Sequence, residues 1–112
     1  MPTLETWLDD YSELFDQLRR NRVQVSHYKY GRASKNFRTG NVDALATMQL
    51  CIDKYRKTGN TEYLVDAANY CMFEFMFPQV PGAHFRSTDD SESAGVVGIT
   101  ETEMQKIKEE DF

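Results

Sequence analysis

Apolar side chains recur along this chain at helical spacing, most densely in Thr58–Pro78, TGNTEYLVDAANYCMFEFMFP. On a helical wheel Leu64, Ala67, Ala68, Cys71, Met72 and Phe75 form one apolar face. Val65, Tyr70, Phe73, Met76 and Phe77 add bulk around most of the remainder, which marks a central or interfacial helix. A narrow polar stripe is left over: Glu62, Asp66 and Asn69, at i, i+4 and i+7. Gly59 suits the left-handed turn that ends one helix, Asn60 caps the next, and Pro78 stops it.

The same period runs through Leu4, Trp7, Leu8, Tyr11, Leu14, Phe15 and Leu18. It predicts a first helix from Leu4 to Arg20, with Thr3 as its cap. Asp9, Asp10 and Glu13 crowd its early turns, and Arg19 with Arg20 close it, as the helix dipole favours. Arg22–Phe37, RVQVSHYKYGRASKNF, loses the period. Val23 and Val25 alternate with polar neighbours in a Tyr-rich stretch, predicting a short strand or extended arm. Gly31 marks a turn there, and Ala33–Phe37 suits a helical turn.

Arg38-Thr39-Gly40-Asn41 opens a second long helix, Val42–Lys57, whose Leu45, Met48, Ile52 and Tyr55 face the core. Its short connection to the Thr58–Pro78 helix predicts an antiparallel hairpin. Beyond Pro78, Pro81-Gly82 is a turn dipeptide and Ser87–Ser93 an acidic loop. Gly95–Ile99 suits a short strand or docking segment, and Thr100 with Glu103 forms a capping box for a final helix. The fold expected is mainly α: a three-helix core with a central antiparallel helical hairpin, a short extended or β arm, and a C-terminal acidic tail with a short helix. Residues 1–86 form one domain that includes the basic aromatic arm at 19–38, and residues 87–112 form the tail.

Length adds that 112 residues make one modest core. No apolar run approaches the ~20 residues of a membrane span, so no membrane partner is expected. MPTLETW lacks the basic and apolar regions of a signal peptide, which points to the cytoplasm. Cys51 and Cys71 both fall on predicted core faces and read as small buried thiols. The apolar surplus of Val65, Tyr70, Phe73, Met76 and Phe77 predicts a homo-oligomer.

Charge changes the picture further. The net −5 conceals a segregation. Gln17–Val42 holds no acid and seven bases, whereas Pro78–Phe112 holds eight acids against three bases. An anion site near the middle and an acidic tail follow. Tyr28, Lys29, Tyr30, Arg32, Lys35 and Arg38 interleave cations for phosphate with rings for stacking, as a nucleotide or nucleic-acid end requires. Duplex DNA is not expected, because the bases are few and the protein is acidic. His84, Arg86, Thr88, Asp89 and Asp90 gather on one loop, more as surface contacts than as a catalytic or metal group.

Two resemblances add expectations. Asp10-x-x-Glu13 and Glu62-x-x-x-Asp66, on two helices, loosely resemble the paired acidic motifs of the all-α, MazG- and dUTPase-type NTP pyrophosphohydrolases. That family uses ExxE and ExxD spacings, from which both pairs here depart. The resemblance implies Mg²⁺ held by Asp10, Glu13, Glu62 and Asp66 and release of pyrophosphate from a nucleoside triphosphate. Tyr63–Ser93, YLVDAANYCMFEFMFPQVPGAHFRSTDDSES, resembles a family of small bacteriophage and prophage proteins. It implies a context, a phage accessory protein in the bacterial cytosol. With Arg32, Lys35 and Arg38 for phosphate and Tyr28 and Tyr30 for stacking, the expectation is a non-enzymatic protein that binds a phosphate-bearing ligand or a host defence component. An interaction protein whose acidic tail mimics nucleic acid is a third expectation.

Overall fold

The computed structural model describes residues 7–89, 91–98, 102 and 105–108. Among these, the chain is mainly helical and contains no strand. A 3-10 turn, Leu8–Asp10, precedes α1 (Glu13–Tyr30), α2 (Ala33–Arg38), α3 (Ala44–Thr58) and α4 (Glu62–Met76). The Thr3 cap, the Leu4 start, Ile99, and Thr100 and Glu103 of the capping box lie outside the described residues. Residues 105–108 are helical.

The first helix differs from its expected bounds at both ends. Tyr11 and Ser12 are extended, and the Ser12 hydroxyl accepts the Phe15 N–H at 3.0 Å, so Ser12 is the working cap. At the other end there is no extended arm: α1 continues through Val23 and Val25 to Tyr30. The β-branched alternation loses to tertiary contact, because helical geometry turns Arg19, Arg22 and Val23 together towards α4 and the core. Gly31 then ends the helix at φ +80°, and the Ala33–Phe37 turn appears as α2.

α3 and α4 form the most extensive helix contact, across the short connection Gly59–Thr61. Gly59 sits in the left-handed region at φ +74° and its N–H reaches the Tyr55 carbonyl at 2.7 Å, as expected from sequence. Asn60 Oδ1 accepts the Glu62 N–H at 3.1 Å. The α3 cap is Asp43, which accepts the Ala46 N–H at 3.0 Å, so the helix starts two residues later than Val42.

The core is small and lies where α2 meets α4. Phe37, Ala44 and Phe73 are buried, with Val23, Val42, Tyr70 and Phe77 packed around them. The Phe37 and Phe73 rings stack with centroids 4.6 Å apart. α4 is therefore turned relative to the face expected from its wheel. Val65, Ala67, Asn69 and Phe73 are buried, while Phe75 is 72% exposed and Cys71 is exposed. A helix apolar on nearly every side does not encode which side is covered; the stacking partner, Phe37, decides it. Cys51 is half-buried, and burial pushes its thiol upward. Of the five residues of the expected apolar surplus, Val65 and Phe73 are core, Tyr70 and Phe77 are half-buried, and Met76 is 53% exposed.

After α4 the chain stays tied to the helices. Gln79 donates its side-chain nitrogen to the Phe37 carbonyl at 2.7 Å, and its backbone N–H reaches Glu74 at 2.8 Å. Residues 94–98 form no strand, and Val97 is fully exposed.

Candidate functional site

An open cleft of about 650 Å³ lies between α1 and α4. Arg19, Arg20 and His27 supply its basic groups, and Gln24 and Asn69 supply amides. Val23, Met72 and Tyr28 supply its apolar and aromatic surface. None of these lining side chains is acidic. Arg20, Gln24 and His27 stand at i, i+4 and i+7 along α1, so one helical edge delivers all three. This volume is within the ~300–1,000 Å³ usual for small-molecule sites.

Asn69 is the buried polar group of the cleft, 5% exposed. Its Nδ2 donates to the Arg19 backbone carbonyl at 3.1 Å. Its Oδ1 has no partner among the described residues. Exchanging the two amide atoms would set oxygen against the Arg19 carbonyl oxygen, so the observed orientation is the sound one. A buried acceptor without a partner costs about 1–3 kcal/mol, which is unusual unless something else uses it. Asn69 also borders a smaller cavity of about 50 Å³, shared with Ser26, Asp66 and Tyr70.

Arg19 is held in place without being fully neutralised. Its guanidinium lies 3.5 Å from Asp16, 3.9 Å from the Met72 sulfur, and 5.9 Å from the centre of the Phe15 ring. Asp16 is in turn hydrogen-bonded by the Tyr11 hydroxyl. That bond holds the Asp16 carboxyl below its usual range and raises the Tyr11 phenol. Arg20 has no carboxylate partner among the described residues.

The sequence-predicted binding residues do not converge as a group. Tyr28 lines the cleft, with its ring edge-on to His27 and its side chain 85% exposed. Lys29 and Tyr30 are exposed at the end of α1, and Arg32 and Lys35 are exposed around α2. Arg38 lies over the Phe77 ring at 5.4 Å. The cleft instead recruits Arg19, Arg20, Gln24 and His27. Their charge was visible in the sequence, but their common edge depends on α1 continuing past Arg20.

The four carboxylates of the magnesium reading are not brought together. Arg22 Nε and Nη2 meet the two Asp66 oxygens at 3.0 and 3.2 Å, and Nη1 meets Glu62 at 3.0 Å. The Asp66 bonds chiefly raise the Arg22 pKa. Asp10 and Glu13 lie exposed at the 3-10 turn and the start of α1. No group of three or more His, Cys, Asp or Glu side chains suited to a metal occurs among the described residues. Glu62 and Asp66 form an ion-pair clamp between α1 and α4.

The His84 loop is similarly engaged. His84 Nδ1 lies 3.0 Å from the Gly82 carbonyl, and Arg86 pairs with Glu92 at 2.9 Å. Asp89 accepts from the Ser91 hydroxyl and the backbone of Ser91 and Glu92, which keeps its carboxyl low. Asp90 lies outside the described residues.

No family model, characterised protein or solved structure matches the chain. Among the helices of the described residues, none is long and apolar enough to cross a membrane.

Proposed function

We propose that the α1–α4 cleft binds a phosphate-bearing small molecule, a nucleotide, and that the protein acts by holding it. The observation that carries this reading is the α1–α4 cleft itself, which gathers Arg19, Arg20 and His27 around the Tyr28 ring and the Gln24 and Asn69 side chains with no acidic group in its lining. Arginine forks suit phosphate oxygens, the exposed Tyr28 ring suits a base, and the side-chain amides of the lining suit the polar edge of a base. The phage resemblance of Tyr63–Ser93 gives this ligand a setting: an accessory protein sequestering a nucleotide in a bacterial cell.

The test is isothermal calorimetry with ATP, GTP and pyrophosphate. At least one nucleotide is expected to bind more tightly than pyrophosphate, because the ring and amide recognise more than charge. Arg20→Ala and Tyr28→Ala should each weaken that binding about tenfold, near 1.4 kcal/mol. Absence of binding to every probe, or binding indifferent to both substitutions, contradicts the reading.

A further inference from the structure

The smaller cavity that Asn69 borders, about 50 Å³, lies where α1, α2 and α4 meet. Val23, Phe37 and Phe73 supply its apolar lining, and Arg22, Ser26, Asp66 and Asn69 supply its polar groups. Asn69 is buried, and its Oδ1 is without a partner among the described residues.

Size and chemistry select an occupant. The cavity exceeds the roughly 10–15 Å³ that one water requires and falls far below the ~300 Å³ of a small-molecule site. Cavities that stay dry are apolar throughout, and this one is not. A cation is disfavoured by the Arg22 guanidinium, which already meets both oxygens of Asp66, at 3.0 and 3.2 Å. An anion is disfavoured by the Asp66 carboxylate and the Asn69 oxygen. What suits the cavity is a small neutral molecule that donates and accepts at once. The Asn69 oxygen needs a donor, each Asp66 oxygen keeps a lone pair beyond its bond from Arg22, and the Ser26 hydroxyl can donate.

We propose that this cavity holds one ordered water, which donates to Asn69 Oδ1 and to the Asp66 carboxylate and accepts from the Ser26 hydroxyl. Three bonds are the usual complement of a buried water. Ser26 belongs to α1 and the other two partners to α4, so the water bridges the helices. It adds to the Asn69 bond to the Arg19 carbonyl and to the Arg22–Asp66 clamp. With both ends of its amide engaged, Asn69 becomes a fixed wall of the cleft. Neither Ser26 nor Asp66 lines the cleft, so the water and the nucleotide reading stand or fall separately.

A crystal structure of the full chain is expected to show a water within hydrogen-bond distance of Asn69 Oδ1 and Ser26 Oγ. In solution, nuclear magnetic resonance should detect cross-relaxation between water and the Asn69 side-chain amide protons. That signal should persist in Ser26→Ala, which keeps the space and two of the partners and excludes relay through the serine hydroxyl. It should vanish in Ser26→Val, whose methyl groups fill the cavity, with helical circular dichroism unchanged. If Ser26→Val loses its helicity, the crystal structure decides the matter. A cavity without density, an Asn69 oxygen bonded directly to another protein group, or a signal that survives Ser26→Val or is lost in Ser26→Ala overturns the proposal.

Discussion

Asn69 donates its amide nitrogen to the backbone carbonyl of Arg19 and leaves its amide oxygen buried without a partner among the described residues. Two helices are thus joined through a group whose hydrogen-bonding capacity is half used. Asn69→Leu removes the orphan acceptor, but it also removes the bond to Arg19 and puts a bulkier side chain in a buried place. It is expected to change stability by less than about 3 kcal/mol while weakening nucleotide binding at least tenfold. Urea unfolding and calorimetry on the same variant separate the two effects. A loss of stability with unchanged binding would make Asn69 purely structural.

The Arg22 clamp makes a graded prediction. Asp66 takes two bonds from Arg22 and its side chain is 21% exposed, whereas Glu62 takes one and is half exposed. Asp66→Ala should destabilise by about 1–3 kcal/mol, as expected when a charged hydrogen-bonded pair is broken. Glu62→Ala should cost under about 1 kcal/mol, because solvent screens that contact. Urea midpoints for the two variants check the order; equal effects would contradict it.

The link between Tyr11 and Asp16 is pH-sensitive in a defined sense. Asp16 is held low by its bond from Tyr11, so the stability it contributes is present above the unfolded carboxylate pKa and is lost as pH falls through its depressed value. Tyr11 is raised, so its contribution is present below the unfolded phenol pKa and is lost as pH rises through the elevated one. Trp7, the single tryptophan, packs edge-on to Tyr11 with centroids 6.1 Å apart and reports on this turn. Its fluorescence should change at acid and alkaline extremes and hold steady between them. In Tyr11→Phe the acid transition should move upward, towards the ordinary carboxylate range.

Phe37 is the buried side chain of a six-residue helix that has little stability of its own. Its stack on Phe73 and the Gln79 bond to its carbonyl hold α2 in place. Phe37→Ala should therefore cost about 3–5 kcal/mol in chemical denaturation, a large share of the stability of so small a core. A cost below about 1 kcal/mol would contradict the packing described here.

Local chemistry was legible in the sequence wherever one residue decides the outcome. Gly31 and Gly59 end helices in the left-handed region, and Asn60 satisfies an orphan N–H, because those needs belong to the backbone itself. What sequence could not show was decided between elements. Val23 and Val25 read as extended until Arg22 finds Asp66 and Glu62 across forty residues and more of chain. The buried face of α4 is not encoded in its own sequence, because Phe75 and Phe73 are equally apolar and only the stack on Phe37 distinguishes them. The site followed the same rule. Asn69 stood out as a polar residue on a greasy helix, whereas Arg20, Gln24 and His27 share an edge only once α1 is known to run to Tyr30.

The most direct test is nuclear magnetic resonance of the isotope-labelled chain titrated with the nucleotide that binds best in calorimetry. The cleft reading predicts shifts confined to the amides of Arg19, Arg20, Gln24, His27 and Tyr28, together with the side-chain amide of Asn69. Shifts centred on Arg32, Lys35 and Arg38, with the Asn69 side chain unmoved, would contradict it.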